Sequence, residues 1–290
     1  MIDHQPLVGV VILSQGTRPQ SLAEAIDSIL GQSVATDVIV VGNGWVPEGL
    51  PEGVHSLALP ENIGIPAGRN KGVPLVRGEY LFFLDDDEQL GSTTFLAEAI
   101  KLLGTDIGLL QPRIEDRTGI PAPRRWIPRL RKGDPRRSSN VFSVLEGAVL
   151  IPRTVFERAG GWASDFFYAH EGIDLAWRVW DQGLRVWYAG NLVAYHPVSE
   201  PTRHSPYFQL NARNRVWLAR RNLPAILIPL YVGSWTAVQL LRAARSAETR
   251  TGLGAWWRGW REGWRTPVSR RPMRWRTVWR MTLAGRPPIL

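Results

Sequence analysis

An unbroken apolar run, Tyr80-Leu81-Phe82-Phe83-Leu84, stops without transition at Asp85-Asp86-Asp87. A strand that is apolar at every position has no solvent face, so both of its sides must be covered. Leu7–Leu13 and Asp37–Val41 read as buried strands of the same kind. Between them Leu22, Ala25, Ile26, Ile29 and Leu30 recur at helical spacing and stop at Gly31. Thr17-Arg18-Pro19-Gln20 supplies the opening, read as an N-cap, a first-turn proline and a capping-box glutamine. A helix over 94–103 and a strand over 107–110 follow, and Val144–Ile151 resumes the sheet. A helix over 173–182 and short strands at 186–188 and 192–195 complete the pattern. Such alternation predicts an α/β fold, a mainly parallel sheet with helices on both faces. From Arg113 to Arg137 the periodicity dissolves into Pro, Gly and nine basic residues, a candidate lid or acceptor-binding segment.

The chain of 290 residues is 44% hydrophobic and 21% charged, enough for one large α/β domain with an appendage or two small domains. Having no cysteine, it has no disulfide framework, thiolate metal site or cysteine nucleophile. Met1-Ile2-Asp3-His4 lacks a basic leader region, so the expectation is a cytoplasmic protein. The net charge of +9 is uneven: from Arg242 onward twelve arginines face only Glu248 and Glu262. Basic asymmetry points to nucleic acid or an anionic membrane, and six tryptophans from Trp256 onward favour the membrane.

Three adjacent carboxylates repel one another, and they stand at the strand end where open α/β sheets bind ligands. A hard cation, Mg²⁺ or Mn²⁺, with phosphate oxygens in its shell would offset them. Asn43-Gly44 suits a tight turn after a buried strand. Asn62-Ile63-Gly64 and Gly68-Arg69-Asn70-Lys71-Gly72 would present N–H groups and positive charge to a diphosphate. Glu171 and Asp174 lie three apart beside the aromatic run Phe166-Phe167-Tyr168, where a carboxylate can be shifted toward general-base duty or can cap a helix. His196, at a strand end before Pro197, could ligate the same metal.

In their order along the chain these segments resemble the family 2 glycosyltransferases, enzymes of the GT-A fold that use nucleotide-sugar donors. The resemblance runs from about Leu7 to Asn222. It is carried by Val10–Gln32, Val40-Val41-Gly42-Asn43-Gly44, Glu61-Asn62-Ile63-Gly64 with Gly68-Arg69-Asn70, and the acidic triplet. Gly160-Gly161-Trp162 with Phe166-Phe167, Glu171…Asp174-Leu175…Arg178, His196 and Arg213-Asn214 complete it. It implies a DXD motif in which Asp87 binds the metal, Asp85 faces the ribose or supports the metal, and His196 adds a ligand. It places Ser14, Arg18, Asn43, Arg69, Asn70, Asp85 and Asp86 about the donor. Glu171 becomes the base, with Asp174 as the other candidate or as a cap. The chain departs from the family pattern twice, with Gly42 where an Asp usually precedes Asn-Gly and Gly172 in the second slot of the acidic acceptor motif.

The resemblance implies transfer of a hexosyl or deoxyhexosyl group, expected to be inverting and metal-dependent, and the basic tail suits a saccharide or lipid-linked acceptor in cell-envelope polysaccharide or glycolipid synthesis. The rivals are a sugar-phosphate nucleotidyltransferase, echoed by Gly16-Thr17-Arg18, and a basic nucleic-acid-binding protein. The expected organisation is a catalytic domain over 1–222, with a nucleotide-sugar half (1–112) and an acceptor half (113–222) carrying a mobile basic loop (113–137). An Arg/Trp-rich tail over 223–290 follows. Its uncharged stretch 222–241 suits a shallow or re-entrant helix. Trp256, Trp257, Trp260 and Trp264 share an arc of about 100° on a helical wheel, as amphipathic helices lying in a membrane interface do. The expectation is a peripheral protein on an anionic inner membrane face, with no nucleic-acid partner.

Overall fold

A computed structural model describes residues 8–129, 133–198 and 205–289, so Leu7 and part of the basic loop, residues 130–132, lie outside the described residues. The chain forms β1 (Val8–Ser14), α1 (Pro19–Leu30), β2 (Thr36–Asn43), β3 (Val54–Leu59), α2 (Ile65–Gly72), β4 (Tyr80–Asp85) and β5 (Gln89–Leu90). Next come α3 (Phe95–Leu103), β6 (Ile107–Glu115), β7 (Ser139–Asn140), β8 (Ala148–Pro152), α4 (Arg153–Ala159), α5 (Glu171–Asp181) and β9 (Arg185–Tyr195). The last five helices are α6 (Ser205–Asn222), α7 (Leu227–Arg245), α8 (Ala247–Thr251), α9 (Leu253–Arg265) and α10 (Trp275–Leu283). Among the described residues all strands join one nine-stranded sheet of order β3-β2-β1-β4-β8-β6-β9-β5, with β7 also on β9. β3, β2, β1, β4, β6 and β9 run one way, while β8, β5 and β7 run against them.

Both faces of the sheet are buried, as the continuous apolar strands require. Val8, Val10, Ile12, Phe82 and Leu84 point to one side, where Leu22, Ala25, Ile26 and Ile29 of α1 and Phe95, Leu96 and Ala99 of α3 cover them. Val11, Leu13, Leu81 and Phe83 point to the other, against Phe156 of α4, Leu175 and Val179 of α5 and Leu218 of α6. α2 lies on this second face because Gly68 and Gly72 have no side chain. A Cβ at Gly68 would stand 2.5 Å from Leu13 Cδ1, and one at Gly72 2.7 Å from Val11 Cγ1.

Several local expectations change. α1 begins at Pro19 with Arg18 in the capping position and no side-chain cap. Gln20 turns to Glu24 Oε1 (3.1 Å), because the 15–18 turn is engaged at the sheet edge. The two short strands expected near 186–195 are one strand, β9, whose pairing with β6 shifts register between Ala189 and Val193. The resumed sheet starts at Ala148, since 144–147 forms a turn in which Leu145 N–H donates to Gln111 Oε1 (2.6 Å). β3, an edge strand of mixed exposure, lacked the alternation that would announce it.

Helix α9 packs along α6. Its contact stripe is Ala255, Trp256, Gly259 and Gly263, with Gly259 so close that a Cβ would meet the Gln209 carbonyl oxygen at 2.0 Å. Trp256 is buried beside Phe208 and Ala212, and Trp257, Trp260 and Trp264 continue from it as a chain of edge-to-face pairs along the flank. Among the described residues no helix is long and apolar enough to cross a membrane.

Candidate active site

The parallel pairing of β1 with β4 puts Leu13 beside Asp85, so both strands release their chains at one sheet edge. Ser14 Oγ accepts from Gly16 N–H (3.0 Å), which leaves its own proton for Asp86 Oδ2 at 2.6 Å. Arg18 reaches back from the turn, with Nη2 2.7 Å from Asp86 Oδ1 and Nη1 paired to Asp87 Oδ2. Arg69, almost fully buried on α2, places Nη2 2.5 Å from Asp85 Oδ1. His196 Nε2 lies 3.5 Å from Asp87 Oδ1. The mutual repulsion of the triplet is therefore offset by guanidinium groups, one for Asp85 and another shared by Asp86 and Asp87. Burial nonetheless pushes the Asp86 and Asp87 carboxyls above their ordinary values, against Ser14 and Arg18 at Asp86 and against His196 and Arg18 at Asp87. Among the described residues no group of three or more acidic or histidine side chains converges as a ready-made metal cage.

A cavity of 330 Å³ opens on this edge. Ser14, Arg18, Asn43, Asp85 and Asp86 line one side, and Phe167, Tyr168 and Tyr207 the other. Asn43 is held by Asn62, donating to its Oδ1 (2.8 Å) while accepting from Ile63 N–H (2.9 Å). Asp87 and His196 line an adjoining cavity of 210 Å³ with Asp116 and Tyr195. Asn70 is not on the pocket wall. Its amide donates to Trp162 O (2.8 Å) and Ser164 Oγ (2.9 Å) and accepts from Trp162 N–H (3.0 Å), clamping that loop to α2.

Behind the pocket lies a second acidic group that sequence reasoning recognised only in part. Glu171 is buried, its Oε2 has no hydrogen-bond partner, and burial together with Glu146 pushes it up to about 8. Glu146 is half-buried and accepts from Gly172 N–H at 2.7 Å. Its Oε1 lies 2.3 Å from where a Gly172 Cβ would be. The carboxylate missing from the second slot of the motif is thus supplied in space from the turn before β8. Glu88 is fully buried with neither oxygen bonded, and burial, then Asp85 and Asp87, hold it well above its usual range. Arg69 is the cation whose field acts on Glu88, Glu146 and Glu171 alike. The sequence signal for Glu88 was adjacency to the triplet; for Glu146 there was none.

Between this group and the pocket runs the 167–170 turn. Phe167, Ala169 and His170 adopt φ of 63°, 74° and 73°, a left-handed region costly for residues with a Cβ. Buried Asn214 on α6 holds the turn, its Nδ2 donating to Phe166 O (2.8 Å), Tyr168 O (2.7 Å) and Ala169 O (3.0 Å). Asp174 is fully buried and paired with Arg178, Arg221 Nε (3.2 Å) and Asn222 Nδ2 (2.7 Å), which ties α5 to α6.

The fold is that of the GT-A glycosyltransferases. The chain superposes on GalNAc-T7, in a crystal structure with UDP, GalNAc and Mn²⁺, with a TM-score of 0.61 at 14% identity, over 79% of this chain and 50% of that one. Against the mannosyltransferase PcManGT from Pyrobaculum calidifontis, in complex with GDP-Man and Mn²⁺, the score is 0.55 at 15% identity, over 99% and 78%. The model of glycosyl transferase family 2 matches residues 10–160, just over half of the chain, and the chain belongs to that family. That membership favours the glycosyltransferase reading over the nucleotidyltransferase one. The chain is also similar to the uncharacterized glycosyltransferase EpsJ of Bacillus subtilis (strain 168), 28% identical over 130 residues, 40% of this chain and 38% of the relative. The chain therefore spans less than half the length of this curated relative.

Proposed function

We propose that the enzyme moves a glycosyl group from a nucleotide-diphosphate sugar to an acceptor hydroxyl in one displacement with inversion. The carrying observation is the 330 Å³ cavity at the sheet edge, bordered by Ser14, Arg18, Asn43, Asp85 and Asp86. In this reading the donor's nucleotide rests along β1 and β2, and Arg18 swings from the triplet to the diphosphate. Arg69 holds Asp85 in place through their 2.5 Å ion pair. Glu171, with Glu146 across Gly172, takes the acceptor proton. The 167–170 turn moves aside to admit the acceptor, and Asp174 keeps the helices in place.

Asp87 and His196 fit a divalent ion. His196 Nδ1 stands 2.6 Å from Pro197 O, a carbonyl that can only accept, so the proton sits on Nδ1. His196 Nε2 faces Asp87 Oδ1 at 3.5 Å, and with the proton on Nδ1 it can turn a lone pair toward a cation held beside Asp87. Asp87 and His196 would hold Mg²⁺ or Mn²⁺, whose charge would offset that of a departing diphosphate.

The exposed apolar residues of α7 and α10 support work at an anionic membrane, and with the basic tail they favour a cell-envelope or glycolipid product. The deciding experiment is a thermal-shift panel of UDP-, dTDP- and GDP-sugars with and without Mn²⁺. One donor should stabilise the protein with the metal present, and Asp87→Ala should remove the metal-dependent part. If no donor shifts the wild-type melt, the reading is wrong.

A further inference from the structure

The donor pocket changes character along the sheet edge. Its charged side chains, Arg18, Asp85 and Asp86, stand on the β1–β4 side. Across β1, β2 and β3 the wall is made by three amides: Gln15 just after β1, Asn43 at the end of β2 and Asn62 after β3. These amides form a relay with one direction. Ile63 N–H donates to Asn43 Oδ1 (2.9 Å) and Gly64 N–H to Asn62 Oδ1 (2.9 Å), which fixes the oxygen end of each asparagine. Asn43 Nδ2 then donates to Asn62 Oδ1 (2.8 Å), and Asn62 Nδ2 donates to Gln15 Oε1 (3.2 Å). Asn43 is buried, so Gln15 and Asn62, both exposed, are the members that can meet a ligand. Gly42 adds nothing, because a Cβ there would stand 2.0 Å from the Trp45 carbonyl oxygen.

The relay leaves a definite set of groups over. Among the described residues nothing takes the hydrogens of Gln15 Nε2, the second lone pair of Gln15 Oε1 or the second hydrogen of Asn62 Nδ2. From Gln15 to Asn62 the open edge therefore runs donor, acceptor, donor. With the diphosphate at the charged end of the pocket, as proposed for the donor, the nucleobase falls at the amide end. The carbonyl, N–H, carbonyl edge of uracil or thymine complements this pattern. Cytosine turns one carbonyl and the ring N–H into their opposites, guanine replaces one carbonyl by an amine, and adenine has no carbonyl. We infer that Gln15 and Asn62 determine specificity for the donor base and select a pyrimidine with two ring carbonyls. This rests on the donor reading and deepens it by choosing among the nucleotides it admits.

Calorimetry of UDP and CDP on the full chain with Mn²⁺ tests it, because the two share ribose and diphosphate and differ only along that base edge. UDP should bind more tightly by about tenfold, the worth of one or two hydrogen bonds. Gln15→Glu puts an acceptor where the spare N–H groups stand and should abolish the preference for UDP. Gln15→Leu, which adds no charge, should abolish it too. The ratio of the two affinities is what counts, so loss of folded protein or repulsion of the diphosphate, common to both nucleotides, cancels. Equal binding of UDP and CDP to the wild type, tighter binding of CDP or GDP than of UDP, or an unchanged ratio in both variants would overturn the assignment. Nucleotide binding without base preference leaves the donor reading standing, whereas a wild type that binds no nucleotide brings both down.

Discussion

At the scale of single residues, the decisive exchange is at Gly172. In the chain alone this glycine is a lost acid, and it leaves Glu171 without a partner. In space Glu146 fills the gap, and the two carboxylates with Glu88 share the field of Arg69. Glu171→Gln should leave donor binding intact and reduce turnover at least a hundredfold, in keeping with loss of a general base; wild-type turnover would rule Glu171 out. Its raised value of about 8 makes the base step grow with pH up to that point. Glu146→Gln removes the neighbouring negative charge, so the rising limb of the pH–rate profile should move to lower pH. Stability follows the opposite sense. The folded protein holds a proton on Glu171 that the unfolded chain releases above 4.5, so stability falls between 4.5 and about 8. Thermal melts of Glu171→Gln should lack that share of the decline. The triplet was legible because it closes an apolar run, whereas Ser14 and Arg18 came through the resemblance to the family. Glu146 was not legible, because its partner lies 26 residues away and is a backbone N–H.

At the scale of elements, the 167–170 turn is the strained part and α6 its brace. Asn214→Ala would leave three carbonyl oxygens without their donor, costing about 3 kcal/mol; urea denaturation reads this directly. Acceptor KM should rise more than donor affinity falls. Helix α9 shows how a wheel misleads. Its four tryptophans do fall on one arc, but the helix meets α6 through Ala255, Trp256, Gly259 and Gly263. Periodicity finds the bulky face, whereas close helix packing selects the face where backbones can approach. Gly259→Leu should separate the pair and destabilise the protein by about 2 kcal/mol, read as a shift in the urea midpoint.

At the scale of the whole molecule, arginines dominate one end of the chain, and apolar side chains stand in solvent on the same helices. Leu230 is 55% exposed, Trp279 65% and Leu283 81%. In flotation with phosphatidylglycerol vesicles the wild type should rise with lipid, and substitution of Leu230 and Leu283 by Asp should leave it at the bottom with an unchanged melting temperature. Equal flotation of both would remove the case for anchoring. The alternation of covered strands and amphipathic helices made the α/β class readable from the chain, because burial on both faces leaves no polar position to vary. The acidic triplet was readable for a related reason: charge that interrupts a buried strand can only sit at its end. Which cation answers each acid, how Glu146 comes to stand in for a missing neighbour, and which face of α9 is hidden were settled by tertiary contact. These depend on distances between segments far apart in the chain, and no local pattern records them.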